Sequence, residues 1–221
     1  MSVVGVADAA EELEVSPRRV RQLLASGQLS GQRLGRSWAI ERAEVERLRR
    51  NEVGRPWSAL SAWAVLDLAG EGNPDLSPVD RSRARKRLAE HGLSDLVGQL
   101  RARADRRQMY AHPSALERVV HAADVVRGGV SGASEHEADL IARDFAEIYV
   151  RASQMSDLVD RYALDDDSDR PNLIVRVVDD EVWPFDPDVK VAHWPVVAVD
   201  LLDAADERSR RAGLDLIERH Q

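Results

Sequence analysis

The chain has 221 residues, of which 43% are hydrophobic and 32% are charged, so it can form a sizeable core in one or two domains plus a small module. It contains no cysteine, which excludes disulfide scaffolds, thiolate metal sites and cysteine nucleophiles. No apolar run reaches the ~20 residues that a membrane-spanning helix needs, and the first twenty residues carry acids where a signal peptide is basic and then apolar. We therefore expect a soluble, cytoplasmic protein with no membrane contact.

The net charge of −8 is distributed unevenly along the chain. Residues 1–120 hold 20 Lys and Arg against 16 Asp and Glu, whereas residues 121–221 hold 11 against 23, which gives +4 against −12. Such an asymmetry indicates that one part meets a polyanion while the other does not. Of the 31 basic residues 29 are Arg, but a GC-rich coding genome would give the same bias, so the Arg count alone does not establish phosphate binding.

The first fifty residues predict two short helices joined by a turn. The apolar spacing from Val6 to Leu13 is typical of one helix face, and Ser16-Pro17 is a favourable start for a second helix. Gly27 then provides a left-handed C-terminal cap. This is the helix-turn-helix plan, in which the second helix enters the major groove of DNA.

The second helix has an apolar back and a polar, cationic front. Val20, Leu23 and Leu24 project within about 100° of one another, so the polar side chains point the opposite way. The front consists of Arg18, Arg19, Arg21 and Gln22. An ordinary amphipathic surface helix shows the same division, so this helix alone leaves both interpretations open.

A wing of two short strands is predicted around the loop Gly35-Arg36-Ser37. A three-residue loop would place Leu34 opposite Trp38 and would turn Arg33 outward. Arg36 would then stand at the tip, from which a wing contacts the phosphate backbone. A third helix over residues 41–50 would cover the wing and complete a domain of residues 1–52.

These features together resemble the excisionase/MerR-type winged helix-turn-helix, over roughly the first fifth of the chain. The resemblance is carried by Val15-Ser16-Pro17-Arg18-Arg19-Val20-Arg21-Gln22-Leu23 and by Leu34-Gly35-Arg36-Ser37-Trp38-Ala39-Ile40. In that family the second helix reads DNA and the wing straddles the backbone. The resemblance therefore implies DNA contacts by Ser16, Arg18, Arg19, Arg21, Gln22, Arg33 and Arg36.

Residues 55–122 predict a helical, basic domain that follows a short linker containing Gly54 and Pro56. Residues 57–69 are apolar on nearly every side, as in a buried helix. A second helix should begin at Ser77-Pro78 and end at Gly92, and a third should run from Leu93 into the arginines of residues 101–107.

Two interpretations of the basic stretch at residues 81–107 stay open, since it holds nine basic side chains against three acids. Solvated helix faces of this composition are common. A second phosphate-contacting surface is the alternative, because a strand at residues 108–111 could close a second winged-helix-like unit. The candidate phosphate contacts are Arg81, Arg85, Arg103 and Arg107.

Residues 123–221 predict an acidic α+β domain, so the chain as a whole should be mainly α with small β elements. Strands are expected at residues 125–126, 148–150 and 173–178, and helices at residues 156–164, 195–202 and 207–220. This half is too acidic to face DNA broadly and too apolar to be a disordered tail. We expect it to neutralise a partner or to form a homodimer.

Motifs for catalysis or metal binding are incomplete in this sequence. Asp165, Asp167 and Asp169 have the spacing of a calcium loop, but Arg170 and Arg176 occupy the positions where the motif requires Gly and Glu. A hydrolase nucleophile elbow, a zinc-binding His-Glu-x-x-His, a P-loop and a dinucleotide fingerprint are also absent from the sequence. We therefore expect no enzymatic activity, no metal and no cofactor.

Four later segments are similar to actinobacterial regulators akin to the abortive-infection antitoxins of type IV toxin-antitoxin systems. The segments are residues 55–64, 110–114, 157–164 and 195–202. The resemblance implies that the N-terminal winged helix represses its own operon and that the C-terminal domain neutralises a nucleotidyltransferase-like toxin, functionally if not physically. The N-terminal segment departs from that family, because it is more similar to excisionase/MerR proteins.

The sequence thus predicts a sequence-specific transcriptional regulator that binds double-stranded operator DNA and acts as an autorepressing antitoxin. One alternative is an excisionase-like architectural factor that bends DNA, against which the long acidic extension argues. Another is a protein-interaction module that uses its winged helix for protein contact. Salt dependence distinguishes the last alternative, because only DNA binders release counterions.

Overall fold

The computed structural model describes residues 3–25, 29–35, 37–51, 56–72, 74, 76–138, 140, 142 and 144–220. These residues form eleven α-helices, several short 3-10 helices and two small sheets, which confirms the mainly α fold predicted from the sequence. We refer to residues 3–51 as the head and to residues 56–220 as the body.

The head contains three helices and a three-stranded antiparallel sheet. Its elements are β1 (Val3–Val4), α1 (Val6–Glu12), α2 (Pro17–Ala25), β2 (Gln32–Leu34), β3 (Ser37–Glu41) and α3 (Arg42–Asn51). The strand order is β1-β3-β2. Ala9, Val20, Leu23, Ile40 and Val45 are buried together and form the core of the head. The apolar spacing recognised in the sequence therefore does face inward.

The wing is shifted by one residue from its predicted register. Arg33 pairs with Trp38 and Leu34 pairs with Ser37, so the loop has two residues instead of three. Gly35 supports this tight turn with a φ of +63°, a backbone conformation that favours glycine. A shift of one residue exchanges the faces of a strand, so Leu34 is 58% exposed and Arg33 shares a face with Trp38.

The body contains eight helices and a four-stranded sheet. In chain order these are α4 (Ala59–Ala69), α5 (Pro78–His91), α6 (Val97–Leu100), β4 (Asp105–Met109), α7 (Pro113–Val120), β5 (Val126–Arg127), α8 (Gly129–Gly132), β6 (Ala146–Arg151), α9 (Met155–Tyr162), β7 (Leu173–Val178), α10 (Trp194–Leu202) and α11 (Glu207–Glu218). The predicted start of α5 is confirmed, because the Ser77 Oγ accepts a hydrogen bond from the Asp80 amide at 3.2 Å and Pro78 is the first helical residue.

The sheet of the body has the strand order β4-β7-β6-β5. Strands β6 and β7 are parallel, whereas β4 pairs with β7 and β5 pairs with β6 in antiparallel fashion. Strand β7 is buried along its whole length, as its apolar, β-branched sequence predicts.

The predicted boundary between residues 122 and 123 does not divide the structure. Strand β4 pairs with β7 from Asp105 to Met109, so both sides of the boundary contribute to one sheet. Leu66 of α4 also belongs to the same hydrophobic cluster as Val197 and Leu201 of α10. Residues 56–220 thus share a sheet and a core, in place of a helical basic domain followed by an acidic one.

The expectation of a second winged-helix-like unit in the body is also wrong, because the strand that was to close it lies in this shared sheet. The helix predicted from Leu93 ends at Arg103, and residues 105–109 form β4 instead. Burial alternates along β4, since Asp105 and Arg107 are exposed while Arg106 and Gln108 are partly buried, and this period of two is typical of a strand.

Candidate nucleic-acid interface

Helix α2 presents to solvent the polar front that the sequence predicts. Val20 and Leu23 are buried on its back, and the turn before it is tight, with Glu14 in the left-handed region at a φ of +55°. The exposed residues of the front are Arg18, Arg19, Arg21 and Gln22. Arg18 and Gln22 are one helical turn apart, so they project from the same face.

Ser16 holds the first turn of α2. Its Oγ accepts a hydrogen bond from the Arg19 amide at 3.2 Å, and its carbonyl accepts one from the Val20 amide at 3.1 Å. The first of these contacts satisfies an amide that would otherwise lack a partner at the start of the helix. Ser16 therefore orients α2 and also lies, exposed, at the end of the helix that enters the groove in this plan.

The arginines of α2 form no ion pair with another described residue. Arg42 at the start of α3 differs, because its Nη2 lies 2.7 Å from the Glu12 Oε1. A guanidinium without a carboxylate partner keeps its planar set of donors available for phosphate or for a guanine base. The front of α2 is therefore a cationic surface whose charge is not neutralised within the described part of the chain.

The wing adds one exposed arginine to this surface. Arg33 lies on β2 and is exposed. The other predicted wing contact, Arg36, lies outside the described residues.

The four residues predicted as a second set of phosphate contacts differ in their exposure and in their partners. Arg85 is exposed on α5, while the Nη2 of Arg81, near the start of the same helix, donates to the Pro74 carbonyl at 2.9 Å. Arg107 is exposed on β4 and its Nε lies 3.0 Å from the Asp105 Oδ2.

The prediction for Arg103 is wrong, since this residue is only 1% exposed. Its guanidinium donates to the Asp200 carboxylate at 2.5 Å, to the Tyr149 hydroxyl at 3.2 Å and to the Leu100 carbonyl at 3.1 Å. A buried guanidinium with three internal acceptors is not available to DNA.

Residues 3–52 match the family model described as "Helix-turn-helix domain". The head is a helix-turn-helix domain. The match spans α1, α2, the wing strands and α3, and it ends before the body, which makes up most of the chain. No curated protein and no solved structure matches the chain. Among the helices of the described residues, none has both the length and the apolar composition needed to cross a bilayer.

The helix-turn-helix domain meets the body through polar contacts of α3. The Arg47 guanidinium, 3% exposed, donates to the Asp203 Oδ1 at 3.2 Å and to the Glu44 Oε2 at 3.1 Å. Glu44 also accepts a hydrogen bond from the Ser30 amide at 3.0 Å, and the Gln108 side-chain amide donates to the Ser30 Oγ. These bonds connect α3 and the start of the wing to the end of α10 and to β4.

Behind these contacts lies a buried cluster of charges in the body. Arg176 on β7 donates to Glu147 at 2.5 Å and to Asp203 at 3.2 Å, and its Nε lies 3.1 Å from the Asp200 Oδ1. Arg103 binds the same Asp200 carboxylate. We call the whole group the ionic junction: Glu44, Arg47, Arg103, Arg106, Glu147, Arg176, Asp200 and Asp203. Its four guanidiniums balance its four carboxylates.

The junction shifts the pKa values of its carboxyl groups in different directions. Burial alone would raise the pKa of Asp203, but Arg47, Arg176 and Arg106 hold that pKa well below its ordinary value. Arg47 and Arg106 likewise overcome burial and lower the pKa of Glu44. For Glu147 burial dominates and raises the pKa to about 7, because Arg176 offsets the loss of solvation only in part.

At two glycines the backbone packs directly against carboxylates of the ionic junction. Gly129 has a φ of +41°, and its amide donates to the Asp200 Oδ2 at 3.1 Å. A Cβ at Gly129 would lie 1.9 Å from the Glu147 Oε2, and one at Gly128 would lie 2.7 Å from the Asp200 Oδ2. Only residues without a side chain fit between these two carboxylates.

Sequence reasoning missed the ionic junction. The available signal was a charge within an apolar run, as with Arg176 in Leu173–Val178 and Asp200 in Trp194–Leu202. A charge at a buried position requires a partner. Within the described residues, however, no group of three or more His, Asp or Glu is arranged to hold a metal ion.

Proposed function

We propose that the chain is a sequence-specific transcriptional regulator that binds double-stranded operator DNA through α2 and the wing. The observation that carries this proposal is the exposed front of α2, whose three arginines have no ion-pair partner among the described residues. In a helix-turn-helix domain this helix enters the major groove. The proposal assigns the chain no catalytic activity.

The residues of the front divide into two proposed roles. Arg18 and Gln22 reach base edges, because a guanidinium pairs with guanine and a carboxamide pairs with adenine in the major groove. The remaining arginines of the front and the two wing arginines contact phosphates, which fixes the orientation of the domain without reading sequence. These phosphate contacts are Arg19, Arg21, Arg33 and Arg36.

The test is a selection of binding sites from a pool of random duplexes with the full chain, followed by fluorescence anisotropy on the enriched sequence. We expect one enriched sequence, bound more weakly by Gln22→Ala and equally well by the control Arg211→Ala, whose side chain is exposed on α11 of the body. Failure to enrich any sequence contradicts the proposal. DNA bending without enrichment would favour the architectural alternative, and absence of DNA binding would favour the protein-interaction alternative.

The same selection tests whether the regulator acts as a homodimer. Paired helix-turn-helix domains read two half-sites about one helical turn, roughly 34 Å, apart. A palindromic enriched sequence together with a dimeric mass in sedimentation is the expected result. A single half-site bound by a monomer would contradict this part of the proposal.

We further propose that the regulator is an autorepressing antitoxin of a type IV-like system. The support is the similarity of residues 55–64, 110–114, 157–164 and 195–202 to such antitoxins and the charge of −12 on residues 121–221, which suits the body to a task other than DNA contact. The body would then neutralise a nucleotidyltransferase-like toxin.

Growth assays on cells that express the neighbouring gene product test this role. The full chain should protect the cells, and the double variant Arg18→Ala/Gln22→Ala should protect equally while losing repression of its own promoter. If the full chain protects against no neighbouring gene product, the antitoxin role is excluded, but the proposed role as a transcriptional regulator is unaffected.

A further inference from the structure

A cavity of about 610 Å³ lies between the helix-turn-helix domain and the body. Ser30, Gln32 and Glu41 contribute to its wall from the domain, and Glu147 and Arg176 contribute from the body. Its volume is within the range of ~300–1,000 Å³ that is typical of small-molecule sites. The cavity therefore has the size and the two-sided wall of a site at a domain interface.

Glu147 leaves one hydrogen-bonding position open in this cavity. The residue is 3% exposed, and its Oε1 accepts a hydrogen bond from the Arg176 Nε at 2.5 Å. Its Oε2 accepts no hydrogen bond from any described residue. A carboxylate oxygen that no protein donor occupies can accept a charge-assisted hydrogen bond from a ligand in the cavity.

The net charge of the cavity wall indicates the sign of the charge that a ligand should carry. Seven carboxylates and three guanidiniums line the cavity. Arg47 and Arg103 pair with two of these carboxylates without lining the cavity themselves, and they still leave an excess of two negative charges. Burial of Glu147 raises its pKa to about 7, which indicates that its negative charge is incompletely compensated.

Apolar side chains also line the cavity, among them Val130, Phe145 and Ile174. A bare metal ion does not suit such a wall, and the described residues provide no group of three or more ligands for one. An anion would meet the excess of carboxylates. The wall is complementary to a molecule that carries both a cationic donor and an apolar part.

We propose that this cavity binds a small organic cation, with an ammonium or guanidinium group that donates to the Glu147 Oε2 and an apolar part that contacts Val130, Phe145 and Ile174. Ser30 and Glu44 of the helix-turn-helix domain line the same cavity and hold the contacts to Gln108 and Arg47. A bound cation therefore changes how the domain is held on the body. The expected effect of the cation on DNA affinity rests on the proposed function, whereas the binding of the cation to the cavity does not.

The test is calorimetric titration of the full chain, without DNA, with n-butylammonium, n-butylguanidinium and, as the anionic control, n-butyrate. We expect saturable binding of at least one of the two cations and no binding of butyrate. Glu147→Gln should weaken cation binding at least tenfold, while Glu218→Gln, an exposed carboxyl on α11, should leave it unchanged. Equal binding to the wild type and Glu147→Gln, stronger binding of butyrate, or absence of cation binding overturns the proposal.

A second variant keeps the test decisive if Glu147→Gln folds poorly. Gln32 is exposed on β2 and lines the cavity, so Gln32→Arg introduces a resident guanidinium without altering the buried junction. We expect this variant to fold and to bind the cation at least tenfold more weakly, and unchanged binding overturns the proposal.

Anisotropy on the selected operator then measures the effect of the bound cation on DNA affinity. A change in DNA affinity of at least threefold supports regulation through this site, and unchanged affinity at cation saturation excludes it.

Discussion

The arginines of α2 and those of the ionic junction are the same residue type in opposite surroundings. On α2 they are exposed and form no ion pair with a described residue. In the junction Arg47, Arg103 and Arg176 are at most 3% exposed, and each lies against at least one carboxylate. A guanidinium can therefore bind either an external polyanion or an internal carboxylate, depending on whether the surrounding packing leaves it exposed or buries it.

The comparison also explains why the number of basic residues is a poor guide to a DNA surface. Residues 81–107 hold nine basic side chains, yet Arg103 compensates Asp200 in the core and Arg106 belongs to the junction. Exposed Arg107 is paired with Asp105. Affinity for phosphate therefore depends on which basic side chains are exposed and how strongly they are compensated, and not on their number alone.

The largest expected effect comes from removing one carboxylate of the junction. Asp200→Ala takes the partner from Arg103 and Arg176 and the acceptor from the Tyr149 hydroxyl. Leaving a buried charge uncompensated costs about 3–5 kcal/mol, and denaturant unfolding should show a loss of this size. The matched control is Asp160→Ala on the exposed face of α9, where we expect a change within about 0.5 kcal/mol. Equal losses in the two variants would mean that the junction does not stabilise the fold.

The next effect is a pH dependence of stability that arises from Glu147. Its pKa rises from an ordinary value of 4.5 to about 7 on folding, so its stabilising contribution is fully present below pH 4.5 and is lost as the pH rises through 7. The free energy of unfolding should fall by about 3 kcal/mol over this range, relative to Glu147→Gln. Asp203 and Glu44 stay charged across the same range, because their pKa values are lowered. Parallel pH profiles for the wild type and Glu147→Gln would contradict this assignment.

A smaller effect separates base reading from phosphate contact on the exposed surface. Arg18→Ala and Gln22→Ala should each cost about 1–3 kcal/mol on the selected operator and little on random duplex DNA, as anisotropy can measure. Arg36→Ala should weaken binding to both DNAs alike. Equal losses on both DNAs for all three variants would show that the front of α2 does not read bases.

The smallest effect concerns the exposed ion pair of the body. Both side chains of the Arg107–Asp105 pair are about half exposed, so Arg107→Ala should change the free energy of unfolding by less than ~1 kcal/mol. Arg107 and Arg85 stay candidates for a second phosphate contact. A loss of DNA affinity in Arg85→Ala/Arg107→Ala, with stability retained, would extend the DNA surface to the body, and unchanged affinity would confine it to the helix-turn-helix domain.

Local patterns in the sequence predicted the elements that local chemistry determines. The apolar back of α2 and the β-branched run of β7 lie where the sequence places them. The register of the wing did not follow from the sequence, because loops of two and of three residues both suit a strand pair around Gly35. The predicted helix over residues 93–107 likewise overlooked the alternating burial that makes β4 a strand.

The ionic junction could not be predicted from spacing, because its members are distant in sequence. Arg47 and Asp203 are separated by 156 positions, and Arg103 and Asp200 by 97. The sequence shows that a charge interrupts an apolar helix at Asp200, but not which cation compensates it. The division of the body at residue 122 was wrong for the same reason, since the pairing of β4 with β7 is a long-range contact.

The expectation for α2 is that its arginines contact phosphates and base edges because no described residue compensates their charge. Its most direct test is the slope of log affinity against log salt for the full chain on its selected operator. Each neutralised phosphate contributes roughly 0.9 to this slope, and Arg19 and Arg21 are the proposed phosphate contacts of α2, so the triple variant Arg18→Ala/Arg19→Ala/Arg21→Ala should reduce its magnitude by up to roughly 1.8. The control Arg211→Ala should retain the wild-type slope. A slope unchanged in the triple variant, or a wild-type affinity independent of salt, would contradict the account.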